Sequence, residues 1–329
     1  MAALSCTLAL LCGAIGAGFA SGREIMRFFA GHGHACAASI ACALLTLAVL
    51  LIRLPLQMER LGCSSLAQLC ILRFGQFLGR LCVILFFLLN LLTGSAMLAA
   101  CAELIALVFP VHQAYTAGLL FTLLCGTALS LYGLHGLRAV GIALCLILFW
   151  FLLRLLALPA GEACFLPAMA PDQTVQAALD GAVYGALNAA MLAGILPLLL
   201  ALPRRSRNAS VILFIALFTW MLLLGVLVCR RHSGTAFNQP LPFIVISRSL
   251  GKSGYLLAAA SMYAAAFSTL LAMLSGMANI LPYSKCVSAL WSTSLCLLAA
   301  QIGFVPLVES GYPTLGSLCA GLMLLLCFP

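Results

Sequence analysis

The stretch GAIGAGFASGRE, from Gly13 to Glu24, decides how this chain folds. It places four glycines, a serine and an Arg-Glu pair inside an apolar segment that is long enough to cross a bilayer. Glycine disfavours helix by about 1 kcal/mol relative to alanine, and irregular backbone within a bilayer is tolerated only where protein or a cavity satisfies the freed groups. The stretch therefore predicts a membrane-spanning helix that is interrupted near its middle.

The composition around this stretch is that of a polytopic integral membrane protein. Hydrophobic residues make up 65% of the chain and charged residues 7%, whereas a soluble domain uses roughly 25% charged residues. The formal net charge is +9, which we interpret as a bias of basic residues toward cytoplasmic loops. Nucleic-acid binding is not expected, because the densest basic cluster, Arg204, Arg205 and Arg207, is too short.

Two further features of the sequence concern processing and metal binding. The 16 cysteines lie mostly in apolar runs, where cysteine behaves as a small hydrophobic residue, so neither a disulfide framework nor a metal site is expected. The first twenty residues lack a basic segment and continue directly into the glycine stretch. They therefore predict a first spanning helix, not a cleaved signal peptide.

Ten segments satisfy the requirement of about 20 mostly apolar residues for a membrane span. They are residues 3–30, 35–56, 80–109, 114–133, 137–157, 180–203, 208–229, 254–281, 287–308 and 312–328. Two more polar stretches, about 57–79 and about 238–252, are predicted to form amphipathic helices on the membrane surface, and residues 158–179 an external loop.

The order of these segments predicts two five-helix repeats, residues 1–157 and residues 180–329. Each repeat begins with a polar span, the first and the sixth, and carries a surface helix after its second span. Because five is odd, the two repeats cross the membrane in opposite orientations, as in the inverted repeats of secondary transporters. The distribution of basic residues favours a cytoplasmic N-terminus.

An interrupted span has a chemical consequence, since its broken ends expose backbone carbonyls and N–H groups. These groups can hold a cation and a carboxylate at the membrane midplane. The alternative is close helix packing, because Gly18 and Gly22 have the GxxxG spacing. The adjacent charges of Arg23 and Glu24 favour a pathway or gate, since charge within a span is costly.

The sequence GAIGAGFASGREIMRFF, from Gly13 to Phe29, resembles the first helix of the YkvI-like membrane proteins. These proteins belong to the amino acid–polyamine–organocation (APC) superfamily, and the resemblance implies its all-α LeuT-type fold of ten helices, with helices 1 and 6 discontinuous. Tyr184 with Asn188 is similar to a motif of the family's sixth helix. LPFIVISRSLG and AFSTLLAMLSGM are similar to its seven-eight connection and its eighth helix.

The resemblance also implies where a coupling ion would bind. Sodium sites of this fold use carbonyls of helix 1, here expected at Gly13 and Ile15, with oxygens of Ala265, Ser268 and Thr269 on one face of helix 8. The alternative is that both hydroxyls hydrogen-bond to preceding carbonyls of their own helix. Some relatives use a lysine in helix 5 instead. Span 5 has no lysine, which favours sodium over a proton.

Substrate-binding residues are expected at the first break and on the helices that face it. The predicted set is Gly16, Gly18, Ser21, Gly22, Ser95, Tyr184 and Asn188. Asn90 and Thr93 are further candidates, and no acidic residue lies at the midpoint of spans 1, 3, 6 or 8, which favours a zwitterion over a bare amine. Arg23, Glu24 and Glu103 are predicted to form an outer gate or, alternatively, a static ion pair. His32 and His34 are expected to be solvated turn residues.

Together these features predict a secondary active transporter of a small organic solute, with an amino acid or related zwitterion as the expected class. Sodium, or alternatively a proton, is the expected coupling ion, and no other cofactor is expected. The alternative function is a small-molecule receptor without bulk transport, as in spore germination. An enzyme is not expected, because no nucleophile, base and metal ligands converge. The expected location is the cell membrane, and the oligomeric state stays open.

Overall fold

The computed structural model describes residues 2–109, 111–132, 134–159, 171–232, 234, 241–281, 283–302 and 312–327. Every regular element in these residues is helical, and none of them forms a β-strand. The α-helices are α1 Ala2–Ala14, α2 Ala17–Ala20, α3 Arg23–Phe28, α4 Cys36–Arg60, α5 Leu66–Val108, α6 Ala114–Leu131, α7 Leu134–Leu156, α8 Pro171–Met191, α9 Leu196–Leu200, α10 Arg204–Arg231, α11 Pro242–Ser247, α12 Gly251–Ile280, α13 Lys285–Ala300 and α14 Tyr312–Cys327.

Within the described residues, seven helical segments are long and apolar enough to cross a membrane. Three shorter apolar helices accompany them, at Ala2–Ala14, Cys286–Ala300 and Leu315–Cys327. Large apolar side chains such as Leu124, Leu146 and Leu298 are exposed on the outside of the bundle, where lipid would cover them. The chain is therefore a multi-pass, all-helical membrane protein, as its composition predicted.

The predicted first span is divided into three helices. The chain leaves helix at Ile15 and Gly16 and again at Ser21 and Gly22, so that α1, α2 and α3 follow one another with two breaks. Gly16 is extended (φ −96°, ψ −176°), whereas Gly22 has φ +82°. A left-handed backbone costs about 1–2 kcal/mol for residues other than glycine. The turn at Gly22 thus requires glycine, whereas the extended backbone at Gly16 is open to any residue.

The chain also departs from a regular α-helix in the region predicted as span 6. A 3₁₀ helix at Leu192–Ile195 joins α8 to α9, and Pro197 lies at the start of α9. α8 begins at Pro171, within the stretch predicted as external loop; proline suits a first helical position because the N–H there has no helical partner. Residues 160–170 of that predicted loop lie outside the described residues.

Both predicted surface segments contain helix. The first part of α5 buries Leu66, Leu69 and Cys70 and is capped by Ser65, whose side chain accepts a hydrogen bond from the Gln68 N–H. At Gly75 (φ +77°) α5 bends before its long apolar part. The second segment is α11, followed by a 3₁₀ turn at Arg248–Leu250. Residues 235–240 of the second region lie outside the described residues.

α1 lies in the centre of the bundle, where every residue from Ser5 to Ala14 is buried against α7, α8, α10 and α12. Beside it α4 packs closely on α8 because Gly181 and Gly185, four residues apart, lie against the backbone of Ser39 and Ala43. Small residues at this spacing let transmembrane helices approach closely. This packing holds the start of α8 next to the broken first span.

Candidate functional site

A cavity of about 390 Å³ lies beside the broken first span. One wall consists of residues of α1 to α3 and their connections, and α5, α8 and α12 supply the others. Its lining residues are Gly13, Ala14, Gly16, Ala17, Gly18, Ser21, Arg23, Glu24, Arg27, Phe28, Leu92, Thr93, Ala96, Met97, Asp180, Val183, Leu187, Met191, Leu241, Met262, Thr269 and Ser317. The floor and sides are mainly apolar, whereas the end at α3 carries four charged side chains.

The first break is held by a side chain of α12. The hydroxyl of Thr269 lies 3.0 Å from the carbonyl oxygen of Cys12 and 3.1 Å from that of Ile15, one turn apart at the end of α1. Buried carbonyls need partners, and here the hydroxyl of a neighbouring helix supplies hydrogen bonding that the interrupted helix cannot. Thr269 therefore fixes the position of α12 relative to the break.

The residues predicted for an ion site meet at this point, with one difference. Ser268 Oγ lies 2.9 Å from the carbonyl oxygen of Ala265 and 3.5 Å from that of Cys12. The first-span carbonyls beside the two hydroxyls are thus those of Cys12 and Ile15, not of Gly13 and Ile15. Three carbonyl and two hydroxyl oxygens are brought together, a donor set that suits a small hard cation.

The same contacts also contain the alternative that the sequence left open. The bond from Ser268 to Ala265 is a bond within one helix, whereas both contacts of Thr269 cross to α1. Ser268 therefore makes the bond within its own helix that the alternative predicts, with a longer contact to Cys12, and Thr269 makes the shorter links between the two helices. The role of this cluster as an ion site stays a prediction.

The predicted substrate residues separate into two groups. Gly16, Gly18 and Ser21 line the cavity, and the Ser21 hydroxyl donates to the Gly18 carbonyl at 2.9 Å. Gly22 does not belong to the lining; its backbone turns under the ring of Phe243 in α11. Gly22 thus shapes the connection between α2 and α3, and the carbonyl of the preceding Ser21 accepts a hydrogen bond from the Phe243 N–H at 2.9 Å.

Most of the side chains predicted from spans 3 and 6 lie behind the cavity wall. Ser95 donates to the carbonyl of Leu91 at 2.7 Å and Asn188 to that of Tyr184 at 3.0 Å, and neither residue lines the cavity. Thr93 does line it. Two positions along a helix turn the side chain by about 200°, whereas positions three or four apart share a face, so Thr93 points with Met97 and Ser95 points away.

Tyr184 is buried between the rings of Phe28 and Phe29, with ring centroids 5.0 Å from each. It does not line the cavity, but its hydroxyl donates to Glu24 Oε2 at 3.2 Å. Tyr184 thus positions a residue that does line the cavity. In this geometry Tyr184 would act on a substrate through Glu24 and not by direct contact.

Glu24, predicted as part of an outer gate, folds back into the cavity. Its carboxylate lies so close to Gly18 that a Cβ added to Gly18 would collide with it. Helical side chains point toward the N-terminus of their helix, and Gly18 has no side chain to oppose this. The sequence favoured a zwitterion over an amine because no acidic residue lies at the midpoint of spans 1, 3, 6 or 8. The cavity nevertheless contains a carboxylate, that of Glu24.

The other two gate residues differ in position. Arg23 lines the cavity beside Glu24. Glu103 is exposed on α5 and is not among the lining residues. A gate that joins Glu103 to the first span stays a prediction.

The mouth of the cavity holds a carboxylate that the sequence interpretation did not select. Asp180 of α8 lies 3.4 Å from the buried His32 Nε2 and accepts a hydrogen bond from Gln176 at 2.9 Å. The expectation that His32 is a solvated turn residue is wrong, because the tight turn between α3 and α4 buries it against α8; His34 is exposed as expected. The sequence did not reveal the contact between His32 and Asp180, because more than 140 positions separate the two residues along the chain.

Comparison with known proteins places this geometry in a transporter fold. No family model matches the chain, and no curated protein matches its sequence. A crystal structure of a single-residue mutant of the Eremococcus coleocola manganese transporter is similar at TM-score 0.59 and 16% identity, covering 98% of this chain and 74% of that one. Mhp1, a nucleobase-cation-symport-1 family transporter in a closed conformation with bromovinylhydantoin bound, is similar at TM-score 0.55 and 13% identity, covering 98% and 76%.

At these identities the likeness concerns the fold. The chain has the fold of membrane transporters, which agrees with the function predicted from the sequence, and the similar structures are transporters, not enzymes. Membership of the YkvI-like family stays a prediction. Among the described residues no group of three or more His, Cys, Asp or Glu side chains is placed to hold a metal ion.

Proposed function

We propose that this chain is a secondary active transporter that carries a small organic solute across the cell membrane by alternating access. The observation that carries the proposal is the cavity at the broken first span, with polar backbone, charged side chains and apolar walls around one space. Substrate sites of transporters with broken helices lie at such points. An amino acid or related zwitterion is the expected class of cargo.

The architecture we propose has ten spans in two inverted five-helix repeats, residues 1–157 and 180–329, with 158–179 as an external connection. The seven long spans and three shorter apolar helices support this count.

Contacts between the connections support the side of the membrane on which we place each of them. Glu59 and the buried Arg207, both predicted at the cytoplasmic ends of their spans, form a two-pronged ion pair, and His32 and Asp180, both predicted outside, also meet.

We further propose that transport is coupled to sodium. The ion would bind at the oxygen cluster of Cys12, Ile15, Ala265, Ser268 and Thr269. A cation there would replace the hydroxyl contacts of Thr269 with stronger ion–dipole contacts and would tie α12 to the end of α1. Binding of sodium would then stabilise the arrangement of the break in which the cavity is formed. A proton is the alternative coupling ion, and the cytoplasmic N-terminus is part of the same proposal.

Uptake into proteoliposomes tests the proposal directly. The purified chain is reconstituted, and accumulation of labelled amino acids, nucleobases and Mn²⁺ is followed with an inward sodium gradient, an inward proton gradient or neither. We expect concentrative uptake of an organic solute that depends on the sodium gradient. Uptake of Mn²⁺ alone would overturn the organic cargo, and saturable binding without accumulation under any gradient would favour the receptor.

A further inference from the structure

The carboxylate of Glu24 has surroundings that suit a ligand. One carboxylate oxygen, Oε2, accepts a hydrogen bond from the Tyr184 hydroxyl. The other, Oε1, lies over Gly18 at the cavity wall. An ionised carboxylate can accept about four hydrogen bonds. Glu24 therefore retains capacity for donors that enter the cavity.

A second, independent observation comes from the facing helix. Thr93 is 2% exposed and lines the cavity, and its hydroxyl has no hydrogen-bond partner among the described residues. Burying a hydroxyl without a hydrogen-bond partner is energetically unfavourable. Hydroxyls in membrane helices commonly bond to a preceding carbonyl, as Ser95 does two residues later, so Thr93 is conspicuous for pointing an unsatisfied group into the cavity.

The rest of the wall near these two groups is apolar. Ala14, Ala17 and Leu92, with the thioether side chains of Met97, Met191 and Met262, supply it. Methionine adapts to irregular apolar shapes. These side chains thus place a background of hydrocarbon and thioether beside the Glu24 carboxylate and the Thr93 hydroxyl.

We propose that Glu24 binds the protonated amine of the cargo, with Thr93 as a second polar contact and the methionines around an apolar body. This proposal rests on the transporter function and deepens it. A primary ammonium is common to an apolar amino acid and to the corresponding amine without a carboxylate. Arg23 and Arg27 line the same end of the cavity and would contact the carboxylate of an amino acid.

The experiment measures affinity on the purified full-length protein. The probes are apolar L-amino acids, their decarboxylated amines and their deaminated acids, tested by thermal shift and then by titration calorimetry. We expect amino acids or amines to bind and the deaminated acids to bind at least tenfold more weakly. Binding of both amine-bearing sets would show that the carboxylate is dispensable, and binding of amino acids alone would assign the arginines to it.

Variants locate the contact. Glu24→Gln is expected to weaken binding of amine-bearing probes at least tenfold, and Tyr184→Phe, which keeps the carboxylate, less than fivefold. Gly18→Ala, whose new Cβ collides with the carboxylate, is expected to lower affinity, whereas Gly321→Ala, with nothing within 4 Å, is the matched control. A Glu24→Gln variant that melts normally without ligand and binds within twofold of wild type would overturn the proposal.

The outcome separates this proposal from the proposed function. Driven uptake of a solute that has no amino group, such as uracil, would overturn the role of Glu24 and leave the transporter standing. Absence of driven uptake with any probe, together with tight amine binding that Glu24→Gln abolishes, would keep the binding role and overturn transport.

Discussion

In the part of the chain that the structure describes, the predicted first and sixth spans both depart from a continuous α-helix, and the two interruptions are built differently. In the first span the backbone leaves helix at Ile15–Gly16 and turns again at Gly22, and a cavity opens beside it. In the α8–α9 region the chain only tightens into a 3₁₀ helix at Leu192–Ile195, where every residue is buried. Glycine is present at both places, so glycine content alone does not make a binding site.

The neighbours account for the difference. At the first break the Thr269 hydroxyl lies within hydrogen-bond distance of the carbonyl oxygens of Cys12 and Ile15, at the end of α1. At the second, Gly194 packs against the backbone of Gly276, and Asn279 donates to the Gly194 carbonyl at 3.2 Å. The first interruption presents polar groups to a cavity of about 390 Å³, whereas the second allows α12 to approach closely and leaves a cavity of only about 30 Å³ beside it.

The strongest test of this contrast is Gly18→Leu. A leucine side chain at the cavity wall would displace the Glu24 carboxylate and fill part of the cavity, so ligand affinity should fall by about 1,000-fold, or ~4 kcal/mol. Titration calorimetry with the transported solute measures the loss. Gly321→Leu, on an open face of α14, is the control; unchanged affinity in Gly18→Leu would favour helix packing as the role of this glycine.

Ser268→Ala combined with Thr269→Ala tests the polar bridge at the first break. Removing both hydroxyls should lower sodium affinity by about 100-fold, or ~2.7 kcal/mol, because two of five oxygens are lost. The measurement is solute uptake as a function of sodium concentration. Ser275→Ala is the control, because it removes a hydroxyl that is bonded within α12 at 2.8 Å, and it should leave sodium dependence intact. If uptake by the double variant still depended on sodium, the ion would bind elsewhere.

Gly194→Ala tests the second interruption, the 3₁₀ helix between α8 and α9. The new methyl group would meet the Gly276 backbone, which cannot rotate away, so the free energy of unfolding should fall by about 2 kcal/mol. Denaturant unfolding in micelles provides the measurement, with Gly321→Ala as control. If stability were unchanged, the 3₁₀ helix at Leu192–Ile195 would not be packed rigidly on α12, and the two interruptions would resemble each other more than we infer.

The smallest expected effect separates backbone strain from packing. Gly22 and Gly62 have φ of +82° and +66°, so alanine costs about 1–2 kcal/mol of strain at either. At Gly22 the Cβ would also meet the Phe243 ring, whereas at Gly62 nothing lies within 4 Å. Gly22→Ala should therefore be about 1 kcal/mol less stable than Gly62→Ala. Equal losses in thermal unfolding would mean that α11 moves freely over Gly22.

Much of this arrangement could be predicted from local sequence. Gly13 to Gly22 predicted the interruption because glycine weakens helix wherever it occurs, and Ser268 with Thr269 share a face because their positions on one helix fix it. Cys12 was missed as a carbonyl contact because a carbonyl belongs to every residue and carries no signature. Thr93 was not separated from Ser95 because span 3 is apolar all round, so its pattern does not mark the face that meets the cavity.

The sequence by itself determined that this is a multi-pass helical membrane protein with a weak point in its first span, since hydropathy and glycine content act through local free energies. Only the tertiary structure decided which groups surround the weak point. Glu24 enters the cavity because it reaches back over Gly18, and Asp180 joins it because glycines of α8 pack on α4. Such contacts depend on distances between residues far apart in the chain, which no local pattern encodes.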